Sequence, residues 1–233
     1  ESVGLIEPVN ENIPAQCFTE ELDVGLNAFQ NKAKQLAVTI LIGSQLIKLE
    51  DERIVNRSFL VSRQGDITAR YDKVHMFDIE LANGESYLES GVISAGNKVV
   101  LAKTPWGELG MSICYDLRFA ALYRALAQNG AQFITIPAAF IQTTGKAHWH
   151  TLVKARAIET GCYIIAPNQC GHHADKRYSW GHSLIVNPWG EILADGGDEP
   201  GIIYADIDLT EVDLARSKIP ALNNDRDFIL EHF

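Results

Sequence analysis

The stretch Gly110-Met111-Ser112-Ile113-Cys114-Tyr115-Asp116-Leu117-Arg118 is the part of the sequence that most constrains the fold. Its apolar half predicts a buried strand over residues 109–115, and the pattern of residues 118–129 predicts a helix directly after it. A thiol at such a corner points at the positive end of the helix dipole, which favours the thiolate. A buried cysteine that acts as a small hydrophobic side chain explains the position equally well, so Cys114 is only a candidate nucleophile.

Strands and helices alternate on both sides of this stretch, a pattern typical of α/β proteins. Predicted helices cover residues 19–36, 118–129 and 147–160. Predicted strands cover residues 37–42, 54–61, 67–72, 99–103, 109–115, 133–137 and 162–167, with a further hairpin over 183–194. No Pro/Ser-rich linker or low-complexity segment interrupts the pattern, so residues 1–233 are predicted to form a single domain.

Composition and charge exclude several classes of partner. The chain has 20 Lys and Arg against 30 Asp and Glu, a formal net charge of −10 at pH 7, so nucleic acid or an anionic membrane would be repelled. No apolar run reaches the length of a membrane-spanning helix, and no basic-then-apolar leader opens the sequence. Four scattered cysteines without a Cys-x-x-Cys pair argue against a disulfide framework or a metal site and favour a reduced, cytoplasmic protein.

Other residue types that can carry chemistry do not converge by spacing alone. Lys73 follows a predicted hairpin and Glu89 lies in a polar loop, and each is by default a solvated surface residue. Histidines cluster at positions 148, 150, 172, 173 and 182, but their spacing fits no metal motif, which favours solvated loop histidines. Reasoning from the residues therefore ends at one candidate nucleophile.

Several segments, in this order, resemble the nitrilase superfamily of carbon–nitrogen hydrolases, and the likeness covers essentially the whole chain. The segments are RYDKVHMFD (70–78), GMSICYDLRF (110–119), AHW (147–149), ARAIE (155–159) and GHSLIVNPWGE (181–191). The resemblance implies an α/β fold of the αββα four-layer sandwich type, a homodimer or larger homo-oligomer, and a Glu–Lys–Cys triad. It also implies that no metal and no organic cofactor is required.

The family's site residues transfer to matching positions of this chain. Cys114 matches the nucleophile, Lys73 the catalytic lysine and Glu89 the second, supporting glutamate. Glu1 is the best match to the general base, and Glu7 is the alternative. The first strand–helix–strand of the family is absent before Glu1. Loss of two buried strands would remove much of the apolar burial that stabilises the sandwich. The sequence is therefore expected to be an incomplete record of a longer protein, with an unusual variant as the alternative.

The implied reaction is hydrolysis of an amide through a cysteine thioester, with the backbone N–H of Tyr115 as an oxyanion donor. Phe140 and Thr143 lie in a segment that resembles a substrate-facing loop, although Phe140 fits a core position equally well. Arg118 is a candidate for binding a substrate carboxylate, and a structural salt bridge with Asp116 is the favoured interpretation.

Within the superfamily, residues 147–160, 169–173 and 223–226 most resemble the deaminated-glutathione amidases. This predicts a small-molecule, carboxylated amide as the substrate and release of ammonia. Two departures stand out, Ala120-Ala121 where relatives carry Pro-Glu and His150 where they mostly carry Glu. Alternatives are an ω-amidase acting on keto-acid amides of glutamine or asparagine, a nitrile hydrolase, a catalytically silent assembly protein, and a papain-like hydrolase with His75 or His182 as base.

Overall fold

The computed structural model describes residues 1–7, 10–82, 84–173 and 177–233 and contains two principal β-sheets. The strands are β1 (Ile40–Lys48), β2 (Ile54–Val61), β3 (Ile67–Asp72), β4 (Asp78–Glu80), β5 (Ser86–Leu88), β6 (Val100–Lys103), β7 (Glu108–Met111), β8 (Phe133–Thr135), β9 (Tyr163–Ala166), β10 (Cys170–His172), β11 (Tyr178–Trp180), β12 (Leu184–Val186) and β13 (Ile192–Asp195). The α-helices are α1 (Ile13–Gln16), α2 (Val24–Leu36), α3 (Ala120–Gln128), α4 (Gln142–Thr160) and α5 (Thr210–Lys218).

One sheet is an antiparallel meander of three strands in the order β1-β2-β3. The other has six strands in the order β13-β12-β9-β8-β7-β6, with β7, β8 and β9 parallel to one another and the rest antiparallel. Two short hairpins, β4–β5 and β10–β11, stand outside these sheets. The parallel centre places the ends of β7 and β8 side by side, and the chain segments after them can therefore contribute to one site.

The two sheets face each other and the helices cover their outer sides. Leu60 and Tyr71 of the three-stranded sheet share a buried cluster with Met111 of the other sheet and with Trp149 of α4. On the opposite side, α2 packs Leu26 and Ala33 against a second cluster that includes residues of β1 and β2. The layers are therefore α2, three strands, six strands, and α3 with α4, which is the expected αββα sandwich.

Several element boundaries differ from the sequence-based prediction. The helix expected over 19–36 begins at Val24, because Asp23 accepts a hydrogen bond from the Leu26 amide at 2.7 Å and caps the helix there. The helix expected from residue 147 begins at Gln142, and the strand expected over 37–42 runs from Ile40 to Lys48. The helix α5 and the hairpins β4–β5 and β10–β11 were not predicted.

In the described part of the chain, no helix has both the length and the apolar character needed to cross a membrane.

Candidate active site

A cavity of about 890 Å³ brings together chain segments that follow strands of both sheets. Lys73 comes directly after β3, Cys114 comes after β7, and Glu89 opens a short 3₁₀ helix after β5. All three lie on the cavity wall together with Glu1. The structure thus brings together the four residues that the resemblance assigned, although they are scattered over more than a hundred positions of the sequence.

Lys73 is the centre of a buried charge cluster. Its Nζ atom donates to Glu1 Oε1 at 2.7 Å and to Glu89 Oε1 and Oε2 at 3.0 and 2.9 Å. The side chains of Lys73, Glu1 and Glu89 are only 1%, 6% and 15% exposed. Backbone amides hold the carboxylates from the other side, that of Ala139 at 3.1 Å from Glu1 Oε2 and that of Phe77 at 2.6 Å from Glu89 Oε2. Because buried charges are costly unless paired and hydrogen-bonded, this arrangement fixes all three groups.

Asn56 on β2 belongs to the same cluster and was missed in the sequence. Its Nδ2 atom donates to Glu1 Oε1 at 3.0 Å. Within the described residues, Asn56 Oδ1 is buried without a hydrogen-bond partner. The sequence could have indicated Asn56, because it is a polar residue within the largely apolar segment of β2. A buried amide at such a position needs hydrogen-bond partners.

Glu7, the alternative general base, lies apart from Lys73. Its carboxylate accepts hydrogen bonds from the side chains of Gln16, at 2.7 Å, and Asn12, at 3.4 Å. The structure therefore places Glu1, and not Glu7, in contact with the lysine.

Cys114 has a left-handed backbone conformation, with φ = 46°, which side chains other than glycine rarely adopt. Its amide donates to Pro137 O at 2.9 Å, and the amide of Ile113 donates to Asp116 Oδ2 at 2.9 Å. These contacts hold the strained turn and place the Cys114 side chain on the cavity wall. Nucleophiles of other hydrolases lie at similar strand-to-helix turns.

The prediction that a helix dipole favours the Cys114 thiolate was wrong. Cys114 opens a 3₁₀ helix of only five residues, Cys114–Arg118, and α3 starts later, at Ala120. Burial raises the pKa of the Cys114 thiol well above its ordinary value, and the neighbouring Glu1 carboxylate raises it further. In the resting state, therefore, the sulfur keeps its proton.

The Glu1 carboxyl and the Lys73 amine are both charged at neutral pH. Burial raises the pKa of the Glu1 carboxyl, but the Lys73 ammonium and the hydrogen bond from the Cys114 thiol lower it below its ordinary value. Burial likewise lowers the pKa of Lys73, but the Glu1 and Glu89 carboxylates raise it above its ordinary value. The cluster accordingly presents an ionised base beside a protonated thiol.

The predicted salt bridge between Asp116 and Arg118 is not formed in the described structure. Asp116 is fully buried and accepts hydrogen bonds from Tyr71 Oη at 2.7 Å, the His75 amide at 3.0 Å, His75 Nδ1 at 2.8 Å and the Ile113 amide. Asp116 therefore joins the chain after β3 to the turn at Cys114. The pairing was wrong because backbone amides and the tyrosine already occupy the carboxylate.

Arg118, Thr143 and Phe140, the three candidate substrate-binding residues, have different surroundings. The Arg118 guanidinium lies 5.2 Å from the centre of the Phe140 ring and 5.8 Å from that of Tyr115, behind the residues that face the cavity. Thr143 is exposed and donates to Glu85 Oε1 at 3.0 Å, and the next residue, Thr144, lines the cavity instead. Phe140 is both core and cavity wall, and Tyr115 also lines the cavity.

The two histidines of the papain-like alternative do not line the cavity. His75 is held by Asp116 and stacks on Phe119 with ring centroids 3.5 Å apart. His182 Nδ1 lies 2.9 Å from Asp195 Oδ1. The carboxylate of Glu1, by contrast, does lie beside the thiol.

Arg177 is a cavity residue that sequence analysis did not single out. Its guanidinium lies 6.0 Å from the centre of the Tyr87 ring, and its Nε atom is buried without a hydrogen-bond partner in the part of the chain that the structure describes. Lys73, also a cation on the cavity wall, is fully occupied by two carboxylates. A single arginine in a loop gives no indication in the sequence that it lines a cavity.

Comparison with known proteins agrees with this geometry. The carbon-nitrogen hydrolase family model matches residues 9–217. A deaminated glutathione amidase of Synechocystis is 43% identical over 199 residues, which cover 84% of this chain and 73% of the relative. A deaminated glutathione amidase of Yersinia enterocolitica is 41% identical over 197 residues, which cover 83% of this chain and 69% of that relative. The crystal structure of the C. elegans NitFhit protein superposes with a TM-score of 0.88 at 32% identity.

That superposition covers 97% of this chain, which spans 55% of the NitFhit chain. The sandwich architecture and the sequence matches therefore agree over nearly the whole of the described protein. The chain belongs to the carbon-nitrogen hydrolase family of the nitrilase superfamily, and it is an enzyme that hydrolyses a C–N amide bond.

Proposed function

We propose that this enzyme removes ammonia from deaminated glutathione through a thioester on Cys114. The observation that carries the proposal is the buried cluster in which Glu1 lies beside the Cys114 thiol and in hydrogen-bond contact with Lys73. The substrate is taken from the relatives of Synechocystis and Yersinia enterocolitica, which are named deaminated glutathione amidases. A cavity of about 890 Å³ is also large enough for a tripeptide analogue.

The charges of the cluster support a specific role for each group in the proposed reaction. Glu1 takes the proton from Cys114 as the sulfur attacks the amide carbon. The negative charge that develops on the carbonyl oxygen is stabilised by the Lys73 ammonium and by the amide of Tyr115, which lies in the first turn of a helix where no intrahelical acceptor is available. Glu1 then passes the proton to the departing nitrogen, which leaves as ammonia.

The second half of the reaction regenerates the enzyme. Glu1 takes a proton from a water molecule, which attacks the thioester carbon, and the carbon–sulfur bond breaks to give a carboxylic acid and the Cys114 thiol. Glu89 acts as a positioning residue, because both of its oxygens hold Lys73 Nζ. One water is consumed and one ammonia released per amide, with no oxidation or reduction.

The substrate test compares ammonia release from deaminated glutathione with release from the keto-acid amides of glutamine and asparagine. We expect a higher kcat/KM for deaminated glutathione, since the larger substrate fills more of the cavity. A preference for the keto-acid amides would assign the enzyme as an ω-amidase. No turnover of either substrate would contradict the proposal.

Arg177 is proposed to bind a carboxylate of the substrate. Replacing it with glutamine is expected to lower kcat/KM for deaminated glutathione by about 10–100-fold, mainly through KM, because a hydrogen bond to a charged group contributes about 1.5–3 kcal/mol. Turnover of an uncharged amide such as propionamide is the internal control and is expected to change little. Equal losses for both substrates would contradict the proposed contact.

We also propose that residues 1–233 form a single domain, that the protein is cytoplasmic and that it assembles into a homodimer or larger homo-oligomer. The assembly is supported by large apolar side chains that remain exposed near α4 and α5, among them Ile158, Trp189, Leu214 and Ile219. Light scattering that gives a mass of 25.8 kDa would rule the assembly out.

A further inference from the structure

A second cluster of ionisable side chains lies outside the catalytic cavity. His150 is on α4, His182 follows β11 and Asp195 ends β13, and none of the three lines the cavity. His150 Nε2 lies 3.1 Å from Asp195 Oδ2, and His182 Nδ1 lies 2.9 Å from Asp195 Oδ1. The prediction of solvated loop histidines was therefore wrong for these two, because the fold brings them to one carboxylate.

We propose that His150, His182 and Asp195 form a zinc-binding site. Each offers one ligand atom, and these atoms all lie within 4.8 Å of one another. Zinc accepts imidazole nitrogen and carboxylate oxygen at about 2.0–2.2 Å, which places the ligand atoms of a tetrahedral site roughly 3.4 Å apart. To admit the ion, the two separations from Asp195 would widen by a few tenths of an ångström, and a pair of ligand atoms 4.8 Å apart would close by about 1.4 Å.

The surroundings fix the orientation of two of these ligands, Asp195 and His182. The Gly197 amide donates to Asp195 Oδ1 at 2.9 Å, and the Trp180 ring stacks on His182 at a centroid distance of 4.8 Å. Groups that orient the ligands in this way are a regular part of metal sites. The side chains of the three ligands are 24–34% exposed, which leaves a path for the ion and room for water as a fourth ligand.

The ion would have a structural role at this site. His182 has a left-handed backbone with φ = 55°, and its carbonyl accepts a hydrogen bond from Trp149 Nε1 at 2.7 Å. The Trp149 ring packs 4.9 Å from that of Phe140, which is part of the cavity wall. Zinc would therefore hold the His182 turn and, through Trp149, one wall of the cavity, without contacting the substrate.

Isothermal titration of the chelator-treated protein with Zn²⁺ alone tests the site. We expect one Zn²⁺ per chain, at least tenfold weaker affinity in His150→Gln and in Asp195→Asn, and unchanged affinity in the matched control His172→Gln, an exposed histidine on β10. Zn²⁺ should also raise the melting temperature of the wild type and not that of His150→Gln. His150→Gln changes a partly exposed helix position, so its folding can be verified even where Asp195→Asn is unstable.

Binding to Cys114 is the competing explanation, since thiolates are also zinc ligands. The Cys114→Ala variant should retain the affinity of the wild type, and Co²⁺ bound to either protein should lack a thiolate charge-transfer band. The proposal is overturned if the wild type does not bind Zn²⁺, if His150→Gln binds it as tightly as the wild type, or if Cys114→Ala abolishes binding.

Discussion

The Cys114→Ala variant is expected to lose ammonia release from deaminated glutathione by about 10⁶-fold in kcat, because no thioester can form without the sulfur. Glu1 and Lys73 would remain in place, and they can still polarise the amide carbonyl, but water would then have to attack it directly. The far-UV circular dichroism should match that of the wild type, since alanine fits the space of a cysteine.

Cys170→Ala is the matched control for this variant. Cys170 lies on β10, is partly exposed and does not line the cavity, so its loss should leave kcat unchanged. Mass spectrometry under single turnover should detect the acyl group on the wild type and on Cys170→Ala. More than about a hundredth of wild-type activity in Cys114→Ala would contradict a nucleophilic role for this residue.

Replacing Lys73 with methionine is expected to damage both catalysis and stability. The variant loses the proposed oxyanion donor, and such a donor is typically worth about 10²–10³ in kcat. It also leaves the Glu1 and Glu89 carboxylates buried without their counter-charge. Breaking a buried ion pair by removing one partner costs about 3–5 kcal/mol, which for a chain of this length corresponds to a fall in melting temperature of roughly 6–20 °C.

Two further variants separate these effects. Lys103→Met removes an exposed lysine on β6 and should change neither property. The double variant Lys73→Met with Glu89→Gln removes one of the two stranded carboxylates and should recover part of the stability without recovering activity. Recovery of activity in the double variant would show that Lys73 serves only to neutralise Glu89.

The parts of the fold that were predicted well are those that local patterns determine. The hairpin β2–β3 has the predicted bounds because two β-rich segments flank the turn Gln64-Gly65-Asp66. The start of α4 was missed because Thr143, Thr144 and Gly145 favour helices weakly. Tertiary packing decides there, since Gly145 lies so close to Trp180 that a Cβ atom at this position would be 2.3 Å from the Trp180 Cβ atom.

The same distinction applies to the active site. Cys114 could be identified from its own surroundings in the sequence, whereas Lys73 and Glu89 required a family pattern. Asn56 reaches the cluster and Arg177 reaches the cavity only because the fold brings distant segments together; Asn56, for example, is 55 residues from Glu1. Such contacts leave no periodicity in a single sequence, and therefore only the fold identifies them.

The protonated resting state of Cys114 has a consequence for oxidative stress. Peroxides oxidise thiolates far faster than thiols, and burial keeps the proton on the Cys114 sulfur. In the proposed mechanism this proton moves to Glu1 only when an amide is there to be attacked. The partly exposed Cys170 should therefore be converted to the sulfenic acid before Cys114, which peptide mass spectrometry after brief treatment with hydrogen peroxide would reveal. An enzyme whose proposed nucleophile rests as a buried thiol can keep that sulfur reduced while more exposed thiols are oxidised.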